Sequence, residues 1–546
     1  MSAPKPRVDF RIDGADWLHP VLTPVTGSAR PLVSGRAVGL RLNLVASQAV
    51  PVQVGIVVTD AGGRQLNPVG ALMNGPALAP TAASAPNGTG YRYTLQAEWV
   101  RPGVKLQVTV DPGQAYDDPT PADARLALTP TVARAQVLRL TLVPVTIAGD
   151  TALVPPDAEV RDALLATYPL TDVRITRRAP YTSTTVTEAI TAANEGGSGA
   201  WGKLLSEIAS LRRLEGSTGQ HYYGFIPKVD YWGTVGMGYV PGATSVGRAP
   251  RAAGQTGWRG TFLHEKGHNF GRPHTPCGVS GDSAYPHAGG TLGTVWGYDQ
   301  RSGNFFDPAG TKDLMSYCSP SWVSDWTYDQ VHSYLGRNPL DDLGTAGAQA
   351  AAVAAPGQPM WLLQGQIDNG RVSLQPLAAF VGQPDADQGT HRVRVVFADG
   401  RTHSLRFTPQ EVDHEHGRGH FTLAVPALGE VSSIELYRGS SLVHQQAVAL
   451  TAPRSGISSL NAGAEPSLVA DAGGWLLRWD AQRWPRATVT HVAQRRTALA
   501  VGHTGGQLRI EPGMLDESGG EIELGLSDGA RFEIRRLPFG GRLNHR

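Results

Sequence analysis

The feature that most restricts how this chain can fold is one eleven-residue run, His264-Glu265-Lys266-Gly267-His268-Asn269-Phe270-Gly271-Arg272-Pro273-His274, with the spacing H-E-x-x-H-x-x-G-x-x-H. On a helix, His264 and His268 stand one turn apart on the same face, so both imidazoles can reach a single ion at a Zn–N distance of about 2.0 to 2.1 Å. Glu265 is then a neighbour of the ligands and not one of them. Its carboxylate lies beside an open coordination position, where it can accept a proton from water and pass it to a leaving amine. A helix continued past His268 would carry the next histidine away, so the chain must turn sharply, and Gly271 tolerates the left-handed backbone that ends helices. His274 then returns as a third ligand. A bare H-E-x-x-H can also be two core histidines beside a solvated glutamate, but five matched positions at fixed spacing argue for a catalytic zinc site.

At every defining position the run matches the extended motif of the metzincin zinc endopeptidases, and the chain resembles that family here. The resemblance implies a zinc-dependent peptidase with an α+β catalytic domain and a Met-turn beneath the metal. Asp313-Leu314-Met315-Ser316-Tyr317 fits such a turn, with Met315 forty-one positions after His274. Tyr317 matches the place where some metzincins put a tyrosine that helps hold the transition state. In that fold the strand just before the zinc helix forms the upper rim of the cleft. Gly236, Met237, Gly238, Tyr239 and Val240 would supply it and pair with substrate backbone, because an exposed edge strand offers unpaired N–H and C=O groups to an extended peptide. The alternative is an ordinary edge strand.

With 546 residues the chain is too long for one core. Alternating apolar residues at Val38 to Leu44, Val52 to Val58 and Val104 to Val110 predict an all-β sandwich module over 1–150. Trp99-Val100-Arg101-Pro102-Gly103 there looks similar to the N-terminal modules of secreted bacterial metzincins that cut mucin-type glycoproteins. Helical spacing begins after Pro155 and Pro156 and opens a metzincin-like domain over 151–342. A second helix carries Trp201, Leu204, Leu205, Ile208 and Leu211, with Ser198 as a possible cap and Gly216 as its end. Strands follow at 221–226 and 237–240, and a last helix with Tyr328, Val331, Tyr334 and Leu335 is expected to stop at Gly336. An Ala- and Gly-rich linker at 343–358 leads to two further β modules, a sandwich at 359–454 and an immunoglobulin- or fibronectin-like module at 455–546. The fold class expected is multidomain, an α+β metzincin-like catalytic domain flanked by all-β sandwiches.

Cys277 and Cys318 are the only cysteines, each three residues past a landmark of the site, His274 and Met315. That placement argues for a mutual disulfide stabilising by roughly 4 kcal/mol in the chain-entropy model and for an oxidising compartment. Two inert thiols, or one cysteine masking the metal, are the alternatives. His287 reads as a solvated loop residue and not a further ligand. His414, His416 and His420 form a tempting second metal site, but they lie between strand patterns and read as a solvated hairpin loop.

A net charge of +1 implies no nucleic-acid or acidic-membrane partner, and no apolar run reaches a membrane span. Met1-Ser2-Ala3-Pro4-Lys5 opens no signal peptide, so the expectation is either a mature form with a new methionine or export by something not visible in these residues. Residues and resemblance together imply a secreted, monomeric zinc endopeptidase acting on protein or glycoprotein substrates of mucin type. Two alternatives stay open: a general secreted zinc protease without glycan preference, and a glycan-binding adhesin whose protease domain is silent.

Overall fold

The computed structural model describes every residue except 1–3, 28–29, 68–70, 75–90, 196–198, 218, 228, 230–232, 341–356, 414, 416, 449–462, 472, 516–518 and 541–546. The linker expected at 343–358, the inter-module break near 455, the Ser198 cap and the side chains of His414 and His416 therefore lie wholly or largely outside the described residues. The fold is mostly β, in several sheets. Two compact units account for the chain, one of Met1–Leu138, Asp157–Arg174 and Arg272–Leu343, the other of Arg139–Pro156, Ile175–Gly271 and Gly344–Arg546. Residues expected as one domain over 151–342 are thus shared between both.

In the first unit, the four-stranded sheet containing Phe10–Leu18 and Val38–Ala46 packs against the sheet containing Gln53–Thr59 and Lys105–Val110. Period-two alternation is the reason: Val54, Ile56, Val58, Leu106, Val108 and Val110 all turn into one core while the residues between them face out. A smaller core gathers Val21, Ala166, Leu292, Trp322, Val323 and Tyr328 around the helices Asp157–Thr167 and Asp325–Arg337. Ser324 caps the second helix by accepting from Thr327 N at 3.1 Å. That helix runs through Gly336 to Arg337, so Gly336 does not end it as expected; with Tyr334 O taken by the Asn338 N–H, the last turn closes one residue further on.

The second unit is built on a mainly parallel sheet. Val137–Ile147, expected as the end of the N-terminal module, instead pairs in parallel with His221–Ile226, which pairs in parallel with Thr244–Arg248. The sequence explains the difference: V-L-R-L-T-L-V-P-V-T-I is nearly continuously buried, the pattern of a strand covered on both faces. Gly236–Gly238 closes the sheet as an antiparallel strand on Thr244–Arg248. Thr244–Arg248 was not foreseen, since T-S-V-G-R shows one apolar residue and no alternation. The helix Ala200–Leu214 packs Trp201, Leu204, Leu205, Ile208 and Leu211 onto this sheet and ends at Glu215 with Gly216 at φ 64°.

In the same unit, Gln358–Asp368 and Arg418–Pro426 form one sheet facing another that holds His391–Phe397 and Val431–Arg438. A further pair of sheets, around Gly474–Arg478 and around Arg486–Val492, encloses Trp479, Val489, Leu499 and Leu524. Met360, Leu362, Val412 and Ala424 continue the core begun by the Ala200–Leu214 helix and by Met237 and Tyr239.

Candidate metal centre

The run 264–274 begins inside the helix Trp258–Asn269. That helix is anchored by rings: Phe262 meets Tyr223 at 4.7 Å, and Trp258 meets Phe225 at 6.1 Å. With one face fixed to the strand His221–Ile226, the i,i+4 pair His264 and His268 is set on another, and their Nε2 atoms face each other at 3.1 Å. Phe270 N donates to Lys266 O and Gly271 N to His268 O, and Gly271 adopts φ 76°. Beyond that turn, from Arg272 onward, the chain with His274 belongs to the first unit.

Glu265 is 2 % exposed, and the strand Gly236–Gly238 lies directly on it. A methyl group on Gly236 would meet Glu265 Oε1 at 2.5 Å, and one on Gly238 would meet Oε2 at 3.2 Å. Two glycines around the buried Met237 are what let the backbone come so close. Glu265 Oε2 has no hydrogen-bond partner among the described residues. Burial holds its carboxyl well above the usual range, the neighbouring Asp413 adds to the rise, and Lys266 opposes it.

Lys266 and Asn269 occupy positions that the motif leaves undefined, yet both are fully buried. Burial pulls the Lys266 ammonium down to about 7. Its Nζ donates to Asn269 Oδ1 at 2.9 Å, while Asn269 Nδ2 donates to Tyr239 O at 3.1 Å and to Thr244 O at 3.0 Å. Asn269 thereby ties the end of the helix to the backbone on either side of the turn at 240–243. Nothing in the sequence marks Asn269, since the residues before it in the run are themselves polar.

Of the residues 236–240, Gly236–Gly238 form the edge strand of this sheet, and the outer side of 238–240 is paired. Val240 N donates to Glu411 O at 2.9 Å, Asp413 N donates to Gly238 O at 3.1 Å, and Tyr239 bridges Val412 in antiparallel sense. Gly238 N donates to Asp413 Oδ1 at 2.7 Å, and Asp413 Oδ2 stands 3.3 Å from His268 Nε2. Burial raises the Asp413 carboxyl well above its usual range, partly offset by the Gly238 N–H. Sequence reasoning misses Asp413, since nothing in its neighbours marks it over the histidines that follow. One of those, His420, is buried and not solvated as expected: its Nδ1 is 3.2 Å from Tyr239 Oη, and burial depresses its pKa to about 4. His287 is not simply solvated either, since its Nε2 meets Asp325 Oδ1 at 2.6 Å.

On the stretch after the run, Met315 is fully buried and its carbonyl accepts from Thr275 N at 3.0 Å, the residue following His274. The fully buried Asp313 holds this turn, accepting from Met315 N at 2.8 Å and from Ser324 N at 2.9 Å. Tyr317 is 48 % exposed, with Oη 3.4 Å from His274 Nε2. Cys277 and Cys318 are joined by a disulfide, and Tyr317 N donates to Cys277 O at 2.9 Å, so the crosslink and the turn restrain the same backbone.

This donor set fits a divalent cation. Imidazole nitrogens 3.1 Å apart with a carboxylate oxygen 3.3 Å from one of them gather lone pairs at one point, and the nearby ammonium of Lys266 is turned to Asn269. A proton shared between the rings or a bound cation would make the convergence favourable, and nitrogen and oxygen donors gathered in this way suit a metal ion.

Comparison with known proteins agrees with this chemistry. The chain is 27% identical over 301 residues to dictomallein of Burkholderia pseudomallei strain 1710b, a match covering 47% of this chain and 41% of that protein. Dictomallein of Burkholderia mallei strain SAVP1 matches to the same extent, and dictomallein-1 of Dictyostelium discoideum is 30% identical over 128 residues, 22% of this chain and 18% of that protein. The chain thus matches less than half the length of these curated relatives. Residues 183–325 match the family Peptidase M66, and that stretch contains the histidine run, Glu265, the turn at Met315 and both cysteines, which supports a metal-dependent peptidase.

Proposed function

We propose that the chain is a secreted zinc endopeptidase of metzincin type that cuts extended, O-glycosylated segments of mucin-type proteins. The observation that carries the reading is the facing pair His264 and His268 with Glu265 pinned beside them by Gly236 and Gly238. Bound by His264, His268 and His274, zinc would polarise the scissile carbonyl and bring the pKa of a water toward about 7. Glu265 takes that water's proton and delivers it to the leaving amine; its buried seat, shut to bulk solvent, keeps the proton for the substrate. Tyr317 Oη, exposed and near His274, donates to the oxygen on which charge develops. The backbone of residues 236–240 aligns the peptide by strand addition, which favours a chain already extended by dense glycosylation over a folded target. Met315 and Gly271 shape the turns beneath and after the ligands. The disulfide suits an oxidising compartment. A silent, glycan-binding adhesin would have no use for a glutamate buried at such close quarters, so the catalytic reading is preferred; monomeric action is proposed with it.

Glu265→Gln tests the mechanism, because the amide keeps the shape and cannot take the proton. Zinc content and fold should be retained while cleavage falls by about 10²- to 10⁴-fold; residual turnover near wild type removes Glu265 from the reaction. Cleavage of an intact mucin, the same mucin stripped of O-glycans, and casein tests the substrate class. Casein cut as fast as intact mucin would leave a zinc protease without glycan preference.

A further inference from the structure

The edge strand that should receive substrate already carries a strand from its own chain. Residues 410–413 lie antiparallel along 238–240 and use the two groups a bound peptide would use, Val240 N and Gly238 O. Val412 is 1 % exposed and shares a core with Met237 and Tyr239, so the segment is seated and not merely adjacent. It ends at the metal centre. Asp413 Oδ1 accepts from Gly238 N, and this turns Oδ2 toward His268.

Which nitrogen it meets is decisive. A carboxylate that orients a metal-binding histidine bonds the ring nitrogen remote from the metal. Asp413 approaches Nε2, the same atom that faces His264 Nε2 at 3.1 Å, and Glu265, His268 and Asp413 bring their ligand atoms within 4.8 Å of one another. Asp413 therefore points at the position of the ion itself, where a substrate carbonyl or the attacking water would have to stand.

We propose that Asp413 is a ligand of the metal in the resting chain, and that residues 410–413 occupy the substrate groove as an internal strand that must be displaced before a peptide can be cut. The inference rests on the metallopeptidase reading above and adds a latent state to it. A carboxylate in the open coordination position converts a catalytic-type site with three protein ligands into a closed one with four. Extended substrates compete with the segment for Gly238 O and Val240 N, and long ones that also engage neighbouring backbone do so best.

The test uses the full chain with Asp413→Asn and, as a second uncharged variant, Asp413→Ser, each checked for an unchanged melting profile. Cobalt(II) exchanged into the centre reports its ligands by visible absorption without any turnover. Loss of the carboxylate should shift those bands and weaken metal binding by about tenfold or more. On a quenched extended peptide, initial rates should rise about tenfold, as for a groove held shut nine-tenths of the time. Unchanged bands and unchanged rates in both variants overturn the inference and leave the peptidase reading standing. Variants that keep metal but cut more slowly than wild type also overturn it, since Asp413 would then assist the reaction. Absence of bound metal in all three proteins removes the peptidase reading and this inference with it.

Discussion

Gly236→Ala is the sharpest probe of how Glu265 is held. The added methyl carbon would stand 2.5 Å from Glu265 Oε1 and 2.7 Å from Thr261 Cγ2, whereas ordinary contacts begin near 3.4 Å, so about 1 Å must be opened. The strand has little freedom to supply it. Met237 is registered with Val246, Arg248 N donates to Val235 O, and Gly238 is bonded to Asp413. Thr261 blocks the other side, so the carboxylate moves. Displacing a catalytic group by 1 Å costs about 10²-fold in rate, equivalent to about 2.7 kcal/mol in the barrier. Stability should fall by about 1 to 3 kcal/mol from overpacking. Gly238→Ala is the internal control, because its methyl would meet Oε2 at 3.2 Å, a gap that a few tenths of an ångström relieve. Steady-state kinetics on one extended peptide, with metal content and melting temperature for each variant, make the comparison. We expect kcat of Gly236→Ala down about 100-fold with KM within about threefold, and Gly238→Ala down less than about tenfold. A folded, metal-replete Gly236→Ala that keeps half the wild-type kcat, or a Gly238→Ala that is the worse of the two, would refute the steric account.

Chelation of the metal should lower the melting temperature, and zinc should restore it, because a ligand bound only to the folded chain at a thousand times its Kd stabilises by about 4 kcal/mol. His264→Ala combined with His268→Ala should abolish that response; a chelator effect that survives the double variant would place the metal elsewhere. Thiol titration of the native, non-reduced protein should find no reactive cysteine. Reduction should cost up to about 4 kcal/mol for the 41-residue separation and loosen the turn at Met315 first. Two titratable thiols before reduction, or loss of the β modules before that turn, would contradict it.

Local pattern made much of this legible. His264 and His268 can converge because i,i+4 spacing places them on one helix face, and Gly271 is left-handed where the turn requires it. Cys277 and Cys318 meet as their placement suggested. The alternating strands at Val52 to Val58 and Val104 to Val110 bury the residues that alternation selects. Contacts distant in sequence stayed hidden. Asp413 lies 145 positions after His268, and nothing in E-V-D-H-E-H marks the aspartate over its histidine neighbours. Nothing in the sequence marks the strand Thr244–Arg248, because Ser245 turns its hydroxyl to Asn269 and Gly247 lies against Tyr223 and Thr261, contacts that no apolar periodicity announces. Gly336 stays helical because a glycine near a helix end allows termination without compelling it.

The undefined positions of the motif show why a helix so rich in polar groups can be buried at all. Burying a polar group is tolerable when its hydrogen bonds are met, and each unmet one costs free energy. In this helix Lys266 spends its proton on Asn269, and Asn269 spends its own on the carbonyls of Tyr239 and Thr244. The chain of bonds runs from the helix end to the edge strand, so the same residues that satisfy the buried helix also fix the distance between Gly238 and Glu265. Glu265, by contrast, keeps Oε2 without a hydrogen-bond partner among the described residues. A fold that satisfied Glu265 as completely as it satisfies Asn269 would hold a more stable helix, and its carboxylate would have no lone pair to offer the proton that the proposed mechanism asks it to move.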